Sequence, residues 1–229
     1  MDKAIEQRVA RIMATLPSHV KLVAAAKTRS SEEVIAAIRG GICAIGENYV
    51  QEAAAIQEEL GKLDTAEVPR VQWHLIGHLQ RNKAKKAVEL FDMIETIDSL
   101  QIAQRVNRHC EALGKTMDVL LEINSGRESN KTGISPDAAE ELIQKVALLP
   151  NLRIQGLMTM GPRFGNPEMA RPYFRLTREL FERLNGMNLK NVEMRYLSMG
   201  MSNSYGIAIE EGANIVRIGT SLFGARQED

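Results

Sequence analysis

The residues best suited to chemistry in this chain are a lysine near one end and an arginine near the other, each closing a short apolar run. Lys27 ends Lys21-Leu-Val-Ala-Ala-Ala-Lys27-Thr28, and in an extended segment Val23, Ala25 and Lys27 share one face. An amine so placed can attack a carbonyl carbon and hold it as an imine, and the small Ala25 beneath it leaves room for a planar ligand. The plain alternative is a lysine with its stem on apolar surface and its head in water. Arg217, in Ile215-Val-Arg217-Ile-Gly219-Thr220-Ser221, shares a face with Ile215 and Gly219. If that face turns inward, the guanidinium needs an anion or a ring acceptor, and either a phosphate or a pyridine nitrogen would serve. If outward, it bridges to a covering helix.

Further polar groups stand at the ends of other apolar runs. Tyr196-Leu-Ser198-Met-Gly200-Met-Ser202-Asn203-Ser204 is rich in hydroxyls around a glycine, and Gly219-Thr220-Ser221 has a similar makeup. Such loops bind phosphate through backbone N–H groups, although any one of these hydroxyls taken singly reads as a turn or cap residue. Asn48 in Gly46-Glu47-Asn48-Tyr49 offers an amide to a ligand hydroxyl. His74 could line a pocket but fits better as a core histidine with its hydrogen bonds met, and His78 falls just beyond the same run. Glu122 and Asn124 alternate on one face and could share an internal network. The basic stretch Arg81-Asn-Lys83-Ala-Lys85-Lys86 has no interleaved aromatics and reads as a solvated helix face.

Positioning these groups takes eight short apolar segments that alternate with longer amphipathic ones: Leu22–Ala26, Cys43–Gly46, Val71–Gly77, Met93–Ile97, Val119–Ile123, Ile154–Met160, Met194–Ser198 and Asn214–Gly219. Several are nearly unbroken apolar runs, the pattern of parallel strands covered by helices. Between them, Leu100, Ala103, Val106, Cys110 and Leu113 recur with helical spacing, as do Ala138, Leu142, Val146 and Leu149. Ser30 with Glu33 and Asp98 with Gln101 read as capping boxes, Ser135–Pro136 as a helix start, and Gly40, Gly61, Gly114 and Gly186 as helix exits. Met1 to Met13 reads as an extra leading helix. Eight β/α units without a linker predict one domain over residues 1–229, a closed (β/α)8 TIM barrel, with an open doubly wound sheet as the structural alternative. In a barrel the chemistry belongs at the C-terminal ends of the strands.

Composition narrows the partners. The 229 residues carry 29 Lys+Arg against 29 Asp+Glu, so no overall field attracts polyanions and nucleic acid is not expected as a partner. Hydrophobic residues at 44% and charged ones at 25% describe a globular chain with a packed core. Cys43 and Cys110 form neither a disulfide framework nor a metal motif, and no segment reads as a signal peptide or membrane span, so a cytoplasmic protein without metal or membrane is expected.

Taken in order, Ala26-Lys27-Thr28, Gly46-Glu47-Asn48-Tyr49-Val50-Gln51-Glu52, Trp73-His74-Leu75-Ile76-Gly77-His78-Leu79-Gln80, Gly156-Leu157-Met158, Ser198-Met199-Gly200-Met201-Ser202 and Val216-Arg217-Ile218-Gly219 closely resemble the pyridoxal phosphate homeostasis proteins, also called the YggS or proline-synthetase co-transcribed family. The resemblance spans essentially the whole chain. It implies a barrel like the N-terminal domain of alanine racemase, with pyridoxal 5′-phosphate (PLP) held as a Schiff base on Lys27. It further implies phosphate contacts from Ser198 and the Arg217, Gly219 and Thr220 segment, a pocket role for Asn48, and Met199 along the ligand. The family manages PLP without an established reaction, which implies PLP-dependent apo-enzymes as partners. Three positions depart from the usual pattern: Ala26 stands where serine is common, Ser30 where proline is common, and Ser204 where aspartate is frequent.

Two further readings compete. A PLP-dependent amino-acid racemase needs acid/base groups on both faces of the cofactor, and in alanine racemases the second is a tyrosine from a β-rich domain of the partner subunit. Because Gly219 is followed by only a short tail to Asp229, that domain is expected to be missing and the protein to be a monomer; Tyr49 or Tyr205 would have to substitute. A lysine-dependent aldolase would instead form its Schiff base with the substrate itself.

Overall fold

The computed structural model describes residues 3–63, 68–161 and 165–225. Its eight strands are β1 (Lys21–Ala25), β2 (Ala44–Glu47), β3 (Gln72–Leu75), β4 (Met93–Ile97), β5 (Met117–Glu122), β6 (Leu152–Met158), β7 (Val192–Ser198) and β8 (Ile215–Ile218). All pair in parallel with their sequence neighbours, and β8 returns to β1 with Val23 opposite Arg217, closing the barrel. The helices are α1 (Lys3–Thr15), α2 (Ser31–Arg39), α3 (Val50–Leu60), α4 (Ala84–Leu90), α5 (Leu100–Ala112), α6 (Ala139–Val146), α7 (Arg171–Asn185), α8 (Tyr205–Glu210) and α9 (Thr220–Phe223). The open-sheet alternative is thereby set aside. The leading helix is present, with Met1 and Asp2 outside the described residues, as is Asp229 at the other end. Among the described residues no helix is long and apolar enough to cross a membrane.

Strand alternation divides the buried residues into two sets. Outward residues such as Leu22, Ala24, Ile45, Val119, Leu121, Val216 and Ile218 pack with the helices in one large core. Inward residues form small separate clusters, Val23, Ala44, Ile76 and Ile215 in one and Met93, Leu120 and Met158 in another. The barrel interior is therefore a thin apolar plug, and what lies above it toward the strand ends is polar.

Helix starts follow the sequence in part. Ser30 accepts from Glu33 N while the Glu33 carboxylate accepts from Ser30 N, the complete reciprocal box. Ser135 caps the turn that leads into α6. The Asp98–Gln101 box is not formed: α5 starts from Ser99, Asp98 lies 3.4 Å from His78, and Gln101 accepts from Arg81 across to the preceding connection. Both side chains find partners from another β/α unit, and these displace the local cap.

Candidate functional site

At the C-terminal ends of the strands lies a cavity of about 840 Å³, lined by Lys27, Asn48, Ser202, Arg217, Gly219 and Thr220 among others. Its size suits a small-molecule ligand. Lys27 follows β1 on the same face as Val23 and Ala25, which both face the barrel interior. Its Nζ sits 5.3 Å from the centroid of the Tyr49 ring. Thr28 turns the chain with a left-handed backbone (φ 62°), strain of order 1–3 kcal/mol that the Glu52 carboxylate offsets by accepting from Thr28 N at 2.9 Å. Helix α3 thus holds the turn that aims the lysine. Asn48 is brought close by Gly77: a Cβ there would lie 2.4 Å from Asn48 O.

The wall opposite is made by the loops after β7 and β8. Gly200 adopts φ +93°, and a Cβ on it would meet Ala208 Cβ at 2.6 Å, so the loop folds tightly onto α8. Ser202 Oγ accepts from the backbone N–H of Gly219 at 3.3 Å and of Ser221 at 3.4 Å. Ser204 Oγ accepts from Met201 N at 3.2 Å and makes no capping bond into α8, so the serine at this departure braces the loop. Arg29 donates to Gly224 O and packs on Phe223, tying the loop after β1 to the end of α9.

Arg217 lies on the floor, 2% exposed. Its Nη1 donates to Ser198 Oγ and its Nη2 to Thr159 O at 2.7 Å, while Glu95 Oε2 stands 3.8 Å from Nη1. Glu95 is fully buried and closes the group, accepting from Ser198 Oγ at 2.6 Å and from His74 Nδ1 at 2.6 Å. Burial works against this carboxylate, but the hydrogen bond and charge of His74, then Arg217 and Ser198, outweigh it and hold its pKa below the ordinary range. Burial lowers the pKa of Arg217, and Glu95 and Glu122 oppose that. Glu122 accepts from Thr132, and burial pushes its carboxyl upward. Asn124 bonds Glu128 instead, so Glu122 and Asn124 do not share a network.

Of the residues singled out from sequence, Lys27, Asn48, Arg217, Gly219 and Thr220 line one cavity, and two do not. Ser198 sits below the floor with its hydroxyl spent on Glu95 and Arg217, and Ser202 stands in the wall. Met199 is fully buried in the core shared with the helices, and Met160 and Met201 line the cavity. The reason is local: Ser198 ends β7 facing inward, Met199 faces outward, and the turn at Gly200 then swings Met201 and Ser202 over the opening. His74 is a satisfied core histidine, 1% exposed, and His78 is exposed beside Asp98. Glu95, Arg29 and Met201 escaped the sequence reading. Only Glu95 left a trace, as the lone charge in the run Met93–Ile97.

Comparison with known proteins bears directly on this arrangement. The model of the alanine racemase N-terminal domain family matches residues 2–227. A protein of Aquifex aeolicus named pyridoxal phosphate homeostasis protein is 41% identical over 90% of this chain and 87% of its own length. A mouse protein of the same name is 37% identical over 99% of this chain and 84% of its own. This chain belongs to the pyridoxal phosphate homeostasis protein family. Among solved structures, PipY of Synechococcus elongatus PCC7942 with PLP bound superposes with a TM-score of 0.87 at 34% identity, covering 96% of this chain and 100% of PipY. Alanine racemase of Clostridium difficile 630, at 16% identity and a TM-score of 0.75, shares the fold, with this chain covering 57% of it. The homeostasis family therefore uses the alanine racemase type of (β/α)8 barrel.

Proposed function

We propose that the protein binds pyridoxal 5′-phosphate in the 840 Å³ cavity and serves its homeostasis, with Lys27 Nζ as the covalent attachment point. The observation that carries this reading is one cavity holding a rim amine, a wall of backbone N–H groups and hydroxyls, and a buried guanidinium on its floor. These groups fit the cofactor's aldehyde, phosphate and pyridine ring respectively. The names of the relatives and the PLP held by PipY support it. When bound, the cofactor supplies an aldehyde carbon for amines and an electron-withdrawing ring. Lys27 offers the nucleophile; Glu52 and Tyr49 fix its approach. Ser202, Gly219 and Thr220 would hold the phosphate, Asn48 would offer its amide to the ring hydroxyl, and Arg217 would meet the ring from the floor. The partners in this reading are PLP and PLP-dependent apo-enzymes, the protein being a cytoplasmic monomer that holds and delivers the cofactor without a specific reaction of its own.

A PLP-dependent racemase-like activity is the second reading, and Tyr49 beside Lys27 is the observation in its favour. Racemisation needs acid/base groups on both faces of the cofactor. Tyr49 lies against the lysine itself, which supports the binding reading over the catalytic one.

Borohydride reduction of PLP-loaded protein followed by peptide mass mapping tests the attachment. The adduct is expected on Lys27, and Lys27→Ala is expected to abolish it while leaving the folded far-UV spectrum unchanged. Lys131 is the informative competitor, because it lines a neighbouring pocket of about 440 Å³ that shares Met160 and Met201 with the cavity. An adduct there and none on Lys27 would sink the assignment.

A further inference from the structure

Four polar side chains meet beneath the cavity, and the cofactor reading uses only Arg217. Glu95 comes from the middle of β4, every residue of which is buried. A carboxylate inside a barrel forfeits its hydration and persists there only when donors fill its oxygens. Here they are filled from different strands: His74 of β3 on Oε1 and Ser198 of β7 on Oε2, with Arg217 of β8 3.8 Å away. An ionised carboxylate can only accept, so Ser198 gives its single proton to Glu95 and turns a lone pair toward Arg217 Nη1. The carboxylate therefore dictates which way the hydroxyl points, and the hydroxyl dictates where the guanidinium sits.

We propose that Glu95 is a positioning residue of the cofactor site, which through Ser198 fixes Arg217 so that the guanidinium meets the pyridine nitrogen and not the phosphate. The proposal rests on the cofactor reading above. On the pyridine ring the aldehyde and phosphate-bearing carbons are neighbours, and the nitrogen lies opposite the aldehyde. In the cavity, Lys27 and the donors of Ser202, Gly219 and Thr220 stand toward the rim, whereas Arg217 is two residues deeper on β8 than Gly219 and almost fully buried. Attachment at Lys27 with the phosphate in the loop wall turns the nitrogen toward the floor. Arginine only donates, so the nitrogen it meets is an unprotonated acceptor.

The probes are PLP and its 1-deaza analogue, in which C–H replaces the ring nitrogen. Affinity is measured by equilibrium dialysis and the visible band of bound PLP is followed against pH, with circular dichroism confirming the fold. Glu95→Gln is expected to weaken PLP by about tenfold or more, the scale of one charge-assisted hydrogen bond, and to leave the deaza analogue unaffected. The band is expected to become pH-dependent in that variant where the parent's is not, and Glu95→Asp to restore part of the difference. If Glu95→Gln does not fold, Ser198→Ala must show the same selective loss, since it cuts the link while keeping both charges. Equal losses for the two probes, or none, in a folded variant overturn the proposal. A parent protein that binds neither probe overturns the cofactor reading instead.

Discussion

Glu47 and Glu95 are the same side chain, equally and completely buried, on strands separated by one other, and they end in opposite states. Glu95 faces the barrel interior, where His74, Ser198 and Arg217 keep it ionised. Glu47 alternates with inward Ala44 and Gly46, so it faces the helical jacket beside Ile45. Neither of its oxygens has a hydrogen-bond partner of good geometry. Burial, reinforced by the charge of Glu52 and only partly offset by the Asn48 amide, pushes its carboxyl up to about 8. Burial alone thus does not set a carboxyl's charge. The partners decide it: Glu95 is held charged by donors from other strands, whereas Glu47, and likewise the inward Glu122 with one oxygen unpartnered, are pushed toward the neutral form.

The strongest way to break this contrast is to remove the counter-charge inside. Arg217→Ala leaves Glu95 with the Ser198 hydroxyl and His74 but without the guanidinium, and loss of one partner of a buried pair costs about 3–5 kcal/mol. Urea unfolding should show that loss together with poor retention of PLP; a variant as stable as the parent would mean that Glu95 needs no arginine.

Glu47 gives a pH-dependent counterpart. Its carboxyl is neutral in the folded protein up to about 8 and ionised in the unfolded chain above 4.5, so the folded state binds the extra proton between those values. Stability contributed by this group therefore falls as pH rises through that window and levels off above it, by about 5 kcal/mol in total. Glu47→Gln should remove that part of the slope and be more stable than the parent at pH 8, read from melts at pH 5 and pH 8. A parallel pair of profiles would place a counter-charge near Glu47 after all.

The smallest effect is expected from Glu52→Gln, which takes away the charge facing Glu47 and weakens the bond to Thr28 N. The inflection in the pH–stability profile should move to lower pH, with a loss under about 1 kcal/mol at neutral pH. An unmoved inflection would separate the two carboxyls.

The eight strands were legible because each is a short apolar run between amphipathic stretches, and parallel pairing in chain order follows from that rhythm. The rim was legible too, since Lys27, Asn48 and Thr220 end or follow such runs. The turn after β7 was not legible: the φ of +93° at Gly200 ends the strand alternation and brings Met201 and Ser202 over the opening, beyond the Ser198 and Met199 that the family resemblance had pointed to. The Asp98–Gln101 box failed because a local cap lost to partners about 20 residues away. Glu95 stood out only as a lone charge in an apolar run, and its role could not be read: its partners lie 21 and 103 positions from it in sequence, and only closure of the barrel makes them neighbours.

The serine clasp across the last two loops has a thermodynamic consequence. Because Ser202 Oγ already engages the N–H groups of Gly219 and Ser221, a phosphate bound there as proposed would trade places with a hydroxyl and would not meet idle donors. The free energy of capture is then the difference between two sets of hydrogen bonds. The same swap run backwards would return the donors to the hydroxyl on release, so in the proposed complex a single side chain would tune both grip and release.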